Sequence, residues 1–325
     1  MHTLIPFAAA AGPQCQQALD RLKLPHLEKL LQRLRPQPLQ DGKTHSLTPL
    51  HERIAAQSAG LAGPDGLIPW AAHDAKARGL TALHGQDGWA WLTPCHWTVH
   101  ADHVQMADPA HMSLTAEDYE TLWAAMEPYF AEDGITLFAH ASAHSPAHPA
   151  RHSTLSWLAH GAVFRDLPTA SLDRVAGQKV DGWMPRQAQA KTLRRLQNEM
   201  QMLLYTHPLN DERAKYKLPS INSFWVSGTG TLAENAEPGT ALTINTALRA
   251  SALADDSAQW AFAWHALDAS LIQQTLERVD RGETVHITLC GEQRAITLQH
   301  REPSLWRRLT RRLADPQALA LLKTL

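Results

Sequence analysis

The spacing of apolar positions changes period several times along the chain, and each change marks an element. His2 to Phe7 is a short apolar run that predicts a buried first strand. From Cys15 to Arg35, leucines at 19, 22, 27, 30, 31 and 34 give a helical spacing that Pro25 breaks or bends, and Pro36 and Pro38 end it. A short helix is predicted from Pro49 to Ser58, with Ser46 or Thr48 as its cap and Pro49 at its first position. Trp89 to Val99 reads as extended, with Val104 to Met106 as its pairing partner. A strong helix starts at Ser113 or Thr115, and its Leu122, Trp123, Met126 and Phe130 share one face. Asp133-Gly134 ends it. Strands are predicted from Ile135 to His140 and from Leu155 to Ala159, with a His/Pro/Ala-rich loop at 141–152. Arg186 to Thr206 is a second strong helix. Strands at Phe224–Gly228 and Ala241–Thr246 follow, then helices at Asp256–Leu267 and Ala269–Arg281. Thr284–Leu289 and Arg294–His300 flank Cys290-Gly291-Glu292-Gln293 as a hairpin, and a basic amphipathic helix runs from Ser304 to Leu322.

Strands and helices alternate through the middle and pair antiparallel at the end. The expected fold class is therefore α/β or α+β, a mixed sheet flanked by helices. The length of 325 residues suggests two lobes, 1–150 and 151–325, divided at the 141–152 loop, with a single compact domain as the alternative. A net charge of −2 lacks the basic surface that nucleic-acid binding needs. The one local exception is the last helix, where Arg307, Arg308, Arg311 and Arg312 accompany Trp306, Leu309, Leu313 and Leu321. That helix is the candidate docking element for a protein partner or an anionic surface. The three cysteines, Cys15, Cys95 and Cys290, are far apart and odd in number, which predicts free thiols and a cytoplasmic location. No apolar run reaches the ~18 residues of a membrane span, so no membrane partner is expected. Eleven tryptophans exceed six Phe and four Tyr combined, and their indole N–H groups call for acceptors inside the core.

Candidate chemistry concentrates between Leu193 and Gly230. On a helix, Leu193, Leu196, Met200, Leu203 and Leu204 share a face that also admits Gln197, with Glu199 and Gln201 at its borders. His207-Pro208 ends the helix, because proline disfavours the helical conformation in the residue before it. A polar loop then offers Asn210, Asp211, Glu212 and Arg213, and Asn222-Ser223 leads into a strand ending in Gly-Thr-Gly. Arg213 supplies a charged fork, Asn210 and Asn222 directional donors, His207 a group that titrates near neutrality, and Gly228 room for close backbone approach. The candidate ligand site is therefore His207, Asn210, Arg213, Asn222 and Ser227, backed by Glu199 and Gln201, for a small phosphate- or carboxylate-bearing anion. The competing reading ties the same residues to one another as a structural network.

Nineteen histidines raise the question of metal. His96, His100 and Asp102 share side-chain parity on one extended strand and form the candidate set for a divalent ion, zinc or manganese. His140, His144, His148 and His152 recur in an exposed low-complexity loop. No dinucleotide or P-loop glycine motif occurs, and no organic cofactor is expected.

The segment HPLNDERAKYKLPSINSFWVSGTG resembles the corresponding stretch of archaeal-type cofactor-independent phosphoglycerate mutases of the alkaline-phosphatase superfamily, and GKTHSLTPLHERIAAQSAGLAGP is a fainter echo of the segment after their first strand. Over nearly its full length the chain is more similar to RpfE-type bacterial regulatory proteins, through LIPFA, SLTPLHER, IPWAA, LTPCHW, SLDRVAGQKVDGW, RLQNEMQMLLYTHPLNDER, NSFWVSG and TLCGEQRA. The mutase resemblance implies a phosphomutase-like fold, two metal ions, and an Asp-Gly metal-ligand signature on the first strand. Here that strand reads HTLIPFAAAAG, without a carboxylate. Loss of that ligand removes a metal position. The expectation is a regulatory or ligand-binding protein that is not a functional phosphoglycerate mutase; a metal-dependent phosphotransferase is the alternative.

Overall fold

The computed structural model describes residues 2–81, 87–138, 155–233, 239–300 and 318–325. The chain divides into two compact units: residues 1–45, 49–59 and 240–325 form one, and 46–48 with 60–239 form the other. The lobes expected at 1–150 and 151–325 are not the ones found. The reason is long-range pairing: the first strand takes both its neighbours from beyond residue 240. The loop 141–152, with His140, His144, His148 and His152, and most of the basic helix, with Trp306 and its four arginines, lie outside the described residues.

The first unit is a mixed sheet. Strands β1 (His2–Ile5), β2 (Leu34–Pro36), β3 (Gln40–Asp41), β10 (Leu242–Ile244), β11 (His286–Cys290) and β12 (Arg294–His300) run in the order β10-β1-β11-β12-β2, with β3 also on β12. β1 is parallel to β10 and β11; β11, β12 and β2 are antiparallel. Ile5, Ile287, Leu289, Ile296 and Leu298 point to one face. Covering that face are α1 (Pro13–Leu19), α2 (Pro25–Arg33), the short α9 (Arg249–Leu253), α10 (Ser257–Leu267), α11 (Gln273–Asp280) and the short α12 (Ala318–Leu322). The predicted break at Pro25 is a full separation of α1 from α2, with each helix opening on a proline. One π-turn, Asp268–Ile272, joins α10 to α11 and turns the buried Asp268 carboxylate onto the start of α2, where it accepts from His26 N (3.1 Å) and Leu27 N (2.8 Å). On the opposite face His2 Nε2, Thr288 Oγ1 and Thr297 Oγ1 form a chain with 2.8 Å links. Helix α3 (Leu50–Ser58) also belongs to this unit. Its N-cap is Pro49, without a side-chain cap, in place of the predicted Ser46 or Thr48.

The second unit is an antiparallel sheet, β7 (Thr136–Phe138), β8 (Trp157–Gly161), β4 (Gly88–Cys95) and β9 (Ser223–Gly230), in that order. Every residue of β4 is buried, so both faces are covered. Ala90, Leu92, Phe224 and Val226 pack against α5 (Ala116–Glu132) and α7 (Ala190–Tyr205). Of the two predicted starts, Thr115 is the N-cap of α5, and with Asp118 it closes a capping box. On the other side α4 (Trp70–Ala77) lies against β4 and β9, and α6 (Leu172–Val175) packs with Trp225. A small hairpin pairs β5 (Trp97–Val99) with β6 (Val104–Met106). Among the described residues no helix is long and apolar enough to cross a membrane.

Candidate functional site

The segment after α7 is the largest departure from the sequence expectation. Residues predicted as a polar loop form helix α8 (Pro208–Lys215). Pro208 ends one helix and starts the next, since its fixed φ suits a first helical position. His207 is the N-cap, its Nδ1 accepting from Leu209 N at 3.2 Å.

This geometry engages the predicted site residues with protein groups. Asn210 donates to Leu204 O (2.7 Å) and Ile221 O (2.8 Å) and accepts from Ile221 N (2.8 Å). Asn222 exchanges two bonds with the Trp97 backbone, accepting at 2.7 Å and donating at 2.8 Å. Arg213, only 2% exposed, donates to Pro219 O (2.9 Å), Met112 O and Asp118 Oδ2 (3.3 Å). Burial pushes its guanidinium down, opposed by Asp118. Glu199 pairs with Arg195 at 2.6 Å on the helix surface, and Gln201 is half-buried nearby. Gln197 donates to Phe224 O at 3.2 Å. Ser227 is buried in β9 opposite Trp91. Gly228, at φ +66°, admits the Trp91 ring, which a Cβ would meet at 2.8 Å. The close approach that its sequence predicts is therefore made by a tryptophan. These residues join α7, α8, β9 and β5.

The predicted metal set does not assemble either. His96 Nδ1 lies 2.8 Å from Ser220 O. His100 stacks on His103 with ring centroids 4.5 Å apart. Asp102 pairs with His103 (2.7 Å) and Lys179 (3.6 Å). The His103 hydrogen bond holds the Asp102 carboxyl below its ordinary range. Among the described residues His96, His100 and Asp102 are not a group whose ligand atoms lie within 4.8 Å of one another.

In the first unit, the chain beyond β1 turns through Phe7, at φ +58°, into four alanines, Gly12 and α1. No side chain of Ala8 to Ala11 can ligate a cation. A carboxylate beside this loop, Asp255, itself at φ +50°, accepts from Gln14 N (3.2 Å) and Cys15 N (3.0 Å). A Cβ on Gly12 would lie 2.1 Å from Asp255 Oδ1, so only glycine admits this contact. Burial, with Asp255 next, pushes the Cys15 thiol up to about 12. The residues following β1 therefore do not fit a metal ligand set. All three cysteines are buried, and none is in a disulfide.

Past the same loop is a cavity of about 460 Å³ at the carboxyl ends of the parallel strands β1 and β11, lined by Ala9–Ala11, Gln16, Leu19, Glu292–Arg294 and Leu322–Leu325. Open sheets with parallel strands hold ligands at such ends. The alanine run carries no sequence signal for it beyond small side chains beside a strand. Also unanticipated are His51 and Glu52 on α3, 4% and 2% exposed, with the His51 ring 5.1 Å from that of Phe7.

No family model matches the chain, and no curated protein matches it. Among solved structures it is similar to a cofactor-independent phosphoglycerate mutase from Thermoplasma acidophilum, with 11% identity, a TM-score of 0.36, and coverage of 91% of this chain and 89% of that one. It is also similar to a protein from Pyrococcus horikoshii, with 14% identity, a TM-score of 0.38, and coverage of 92% and 87%. Likenesses this loose have no bearing on chemistry.

Proposed function

We infer that the protein is a ligand-binding, regulatory protein that recognises a small carboxylate or phosphate anion and does not transfer phosphate. One observation carries this reading. At the end of β1 a phosphomutase-like enzyme needs a carboxylate for metal; this chain has alanines, and the neighbouring Asp255 is bound to the backbone of α1. A metal-dependent transferase acts through the charge its ligands concentrate, and that position supplies none. The resemblance to RpfE-type regulatory proteins supports the regulatory role.

The test is turnover. Purified protein, with manganese, cobalt or zinc added in turn, is assayed on 2- and 3-phosphoglycerate and on a generic aryl phosphate. The expected result is no activity above the metal-only control. Activity proportional to bound metal would replace this reading with a metal-dependent phosphotransferase.

A further inference from the structure

We propose that the cavity at the carboxyl ends of β1 and β11 is the ligand site and that its ligand is a small organic monocarboxylate with an apolar body of a few carbons. This rests on the ligand-binding reading above and gives that ligand a place and a chemical class.

The floor is apolar: Ala10 and Leu19 are buried on one side and Leu322 on the other. The rim is polar and carries two cations, Arg294 and Lys323. Arg294 uses its Nε on Asp41 at 3.2 Å, in a pair whose side chains are 51% and 78% exposed. Lys323 meets Asp20 at 2.5 Å with 54% and 60% exposure. Exposed pairs of this kind are weak, so an incoming carboxylate competes for both cations. The terminal nitrogens of Arg294 present the planar fork that a carboxylate accepts with both oxygens. Gln16, whose Nε2 donates to Ala11 O at 3.1 Å, adds an amide to the same rim.

Shape then selects among anions. Phosphate has nothing to place against Ala10, Leu19 and Leu322, whereas a short alkyl chain buries its methylenes there.

The experiment is titration calorimetry with acetate, butyrate, hexanoate, hexylamine and inorganic phosphate at constant ionic strength. Affinity is expected to rise from acetate to hexanoate, roughly fourfold per added methylene, with no binding of hexylamine or phosphate. Arg294→Gln is expected to weaken hexanoate at least about tenfold while leaving the unliganded melting temperature unchanged, because a half-exposed arginine carries little stability. Ala10→Leu, which fills the floor, is expected to abolish binding. Phosphate binding as well as hexanoate, a series flat in chain length, no carboxylate binding, or unchanged affinity in Arg294→Gln would each overturn the assignment. Absence of binding leaves the turnover result standing, and turnover in the metal assay fails the broader reading by itself.

Discussion

Arg213 and Asp118 meet at 3.3 Å, and Asp118 is the same carboxylate that closes the capping box with Thr115 at the start of α5. One acid thus fixes a helix terminus and neutralises a guanidinium that is 2% exposed. Arg213→Ala leaves Pro219 O and Met112 O without their donor and Asp118 without its cation. The expected loss is about 3–5 kcal/mol of unfolding free energy, as for other broken buried pairs. Urea unfolding measures it, and added phosphate or acetate is expected to leave the loss unchanged. A variant as stable as the parent would show that Arg213 is not a strut.

Asp255 and Gly12 are coupled by contact. Gly12→Ala is expected to cost roughly 2 kcal/mol through overpacking, since its Cβ would fall 2.1 Å from Oδ1. Asp255→Ala is expected to cost about 1 kcal/mol, the value of a lost cap. The double variant should cost less than the sum of the two single costs, because the contacts with Oδ1 and Cγ are removed and only the Asp255 Cβ, at 2.8 Å, remains. A chemical-denaturation cycle reads this, and strict additivity would contradict the contact.

The Cys15 thiol, pushed up to about 12, is roughly a ten-thousandth thiolate at pH 8. Native protein is expected to leave a disulfide reagent untouched for the length of an assay, and urea-unfolded protein to react at all three cysteines. Asp255→Asn removes the carboxylate that helps hold the proton, so Cys15 should then label faster at pH 9. An unchanged rate would assign the shift to burial alone.

Acid should destabilise the protein through His73. Burial holds its imidazole below the ordinary range, opposed by Asp74 and reinforced by Lys76, and Nδ1 has no partner among the described residues. A lowered folded value means that the unfolded chain binds the proton first. Stability is therefore full above about 6.5, the unfolded value, and declines as pH falls below it towards the folded value. His2, also lowered by burial, adds to the same slope. The urea midpoint should drop between pH 7 and 5.5, and His73→Gln should flatten that drop. An equally steep profile in the variant would place the proton uptake elsewhere.

Local signals made several elements legible. The helix start at Thr115, the hairpin of β11 and β12, and the proline that opens α2 all act over a few residues. Helix α8 was hidden because Pro208 reads as a stop from one side and a start from the other. The pairing of β1 with β11 was hidden because register between distant segments leaves no mark in either. The network around Arg213 was legible as polar groups bound for burial, but sequence does not tell whether a backbone carbonyl or a ligand answers them. The alanines after β1 are informative through the carboxylate they lack, while the cavity beside them arises from segments far apart in the chain.

The interleaved partition has a consequence during synthesis. The described strands of the second unit lie between residues 88 and 230, so this sheet can close while later residues are still being made. β1 emerges before the other described strands, yet it waits for β10 and β11 before either of its edges is paired. An apolar strand with two open edges is a template for aggregation, and the wait lasts about ten seconds or more at ordinary elongation rates. A segment made well before its partners is thus among the last to be protected, and chaperone dependence should follow the translation time of the second unit rather than its stability.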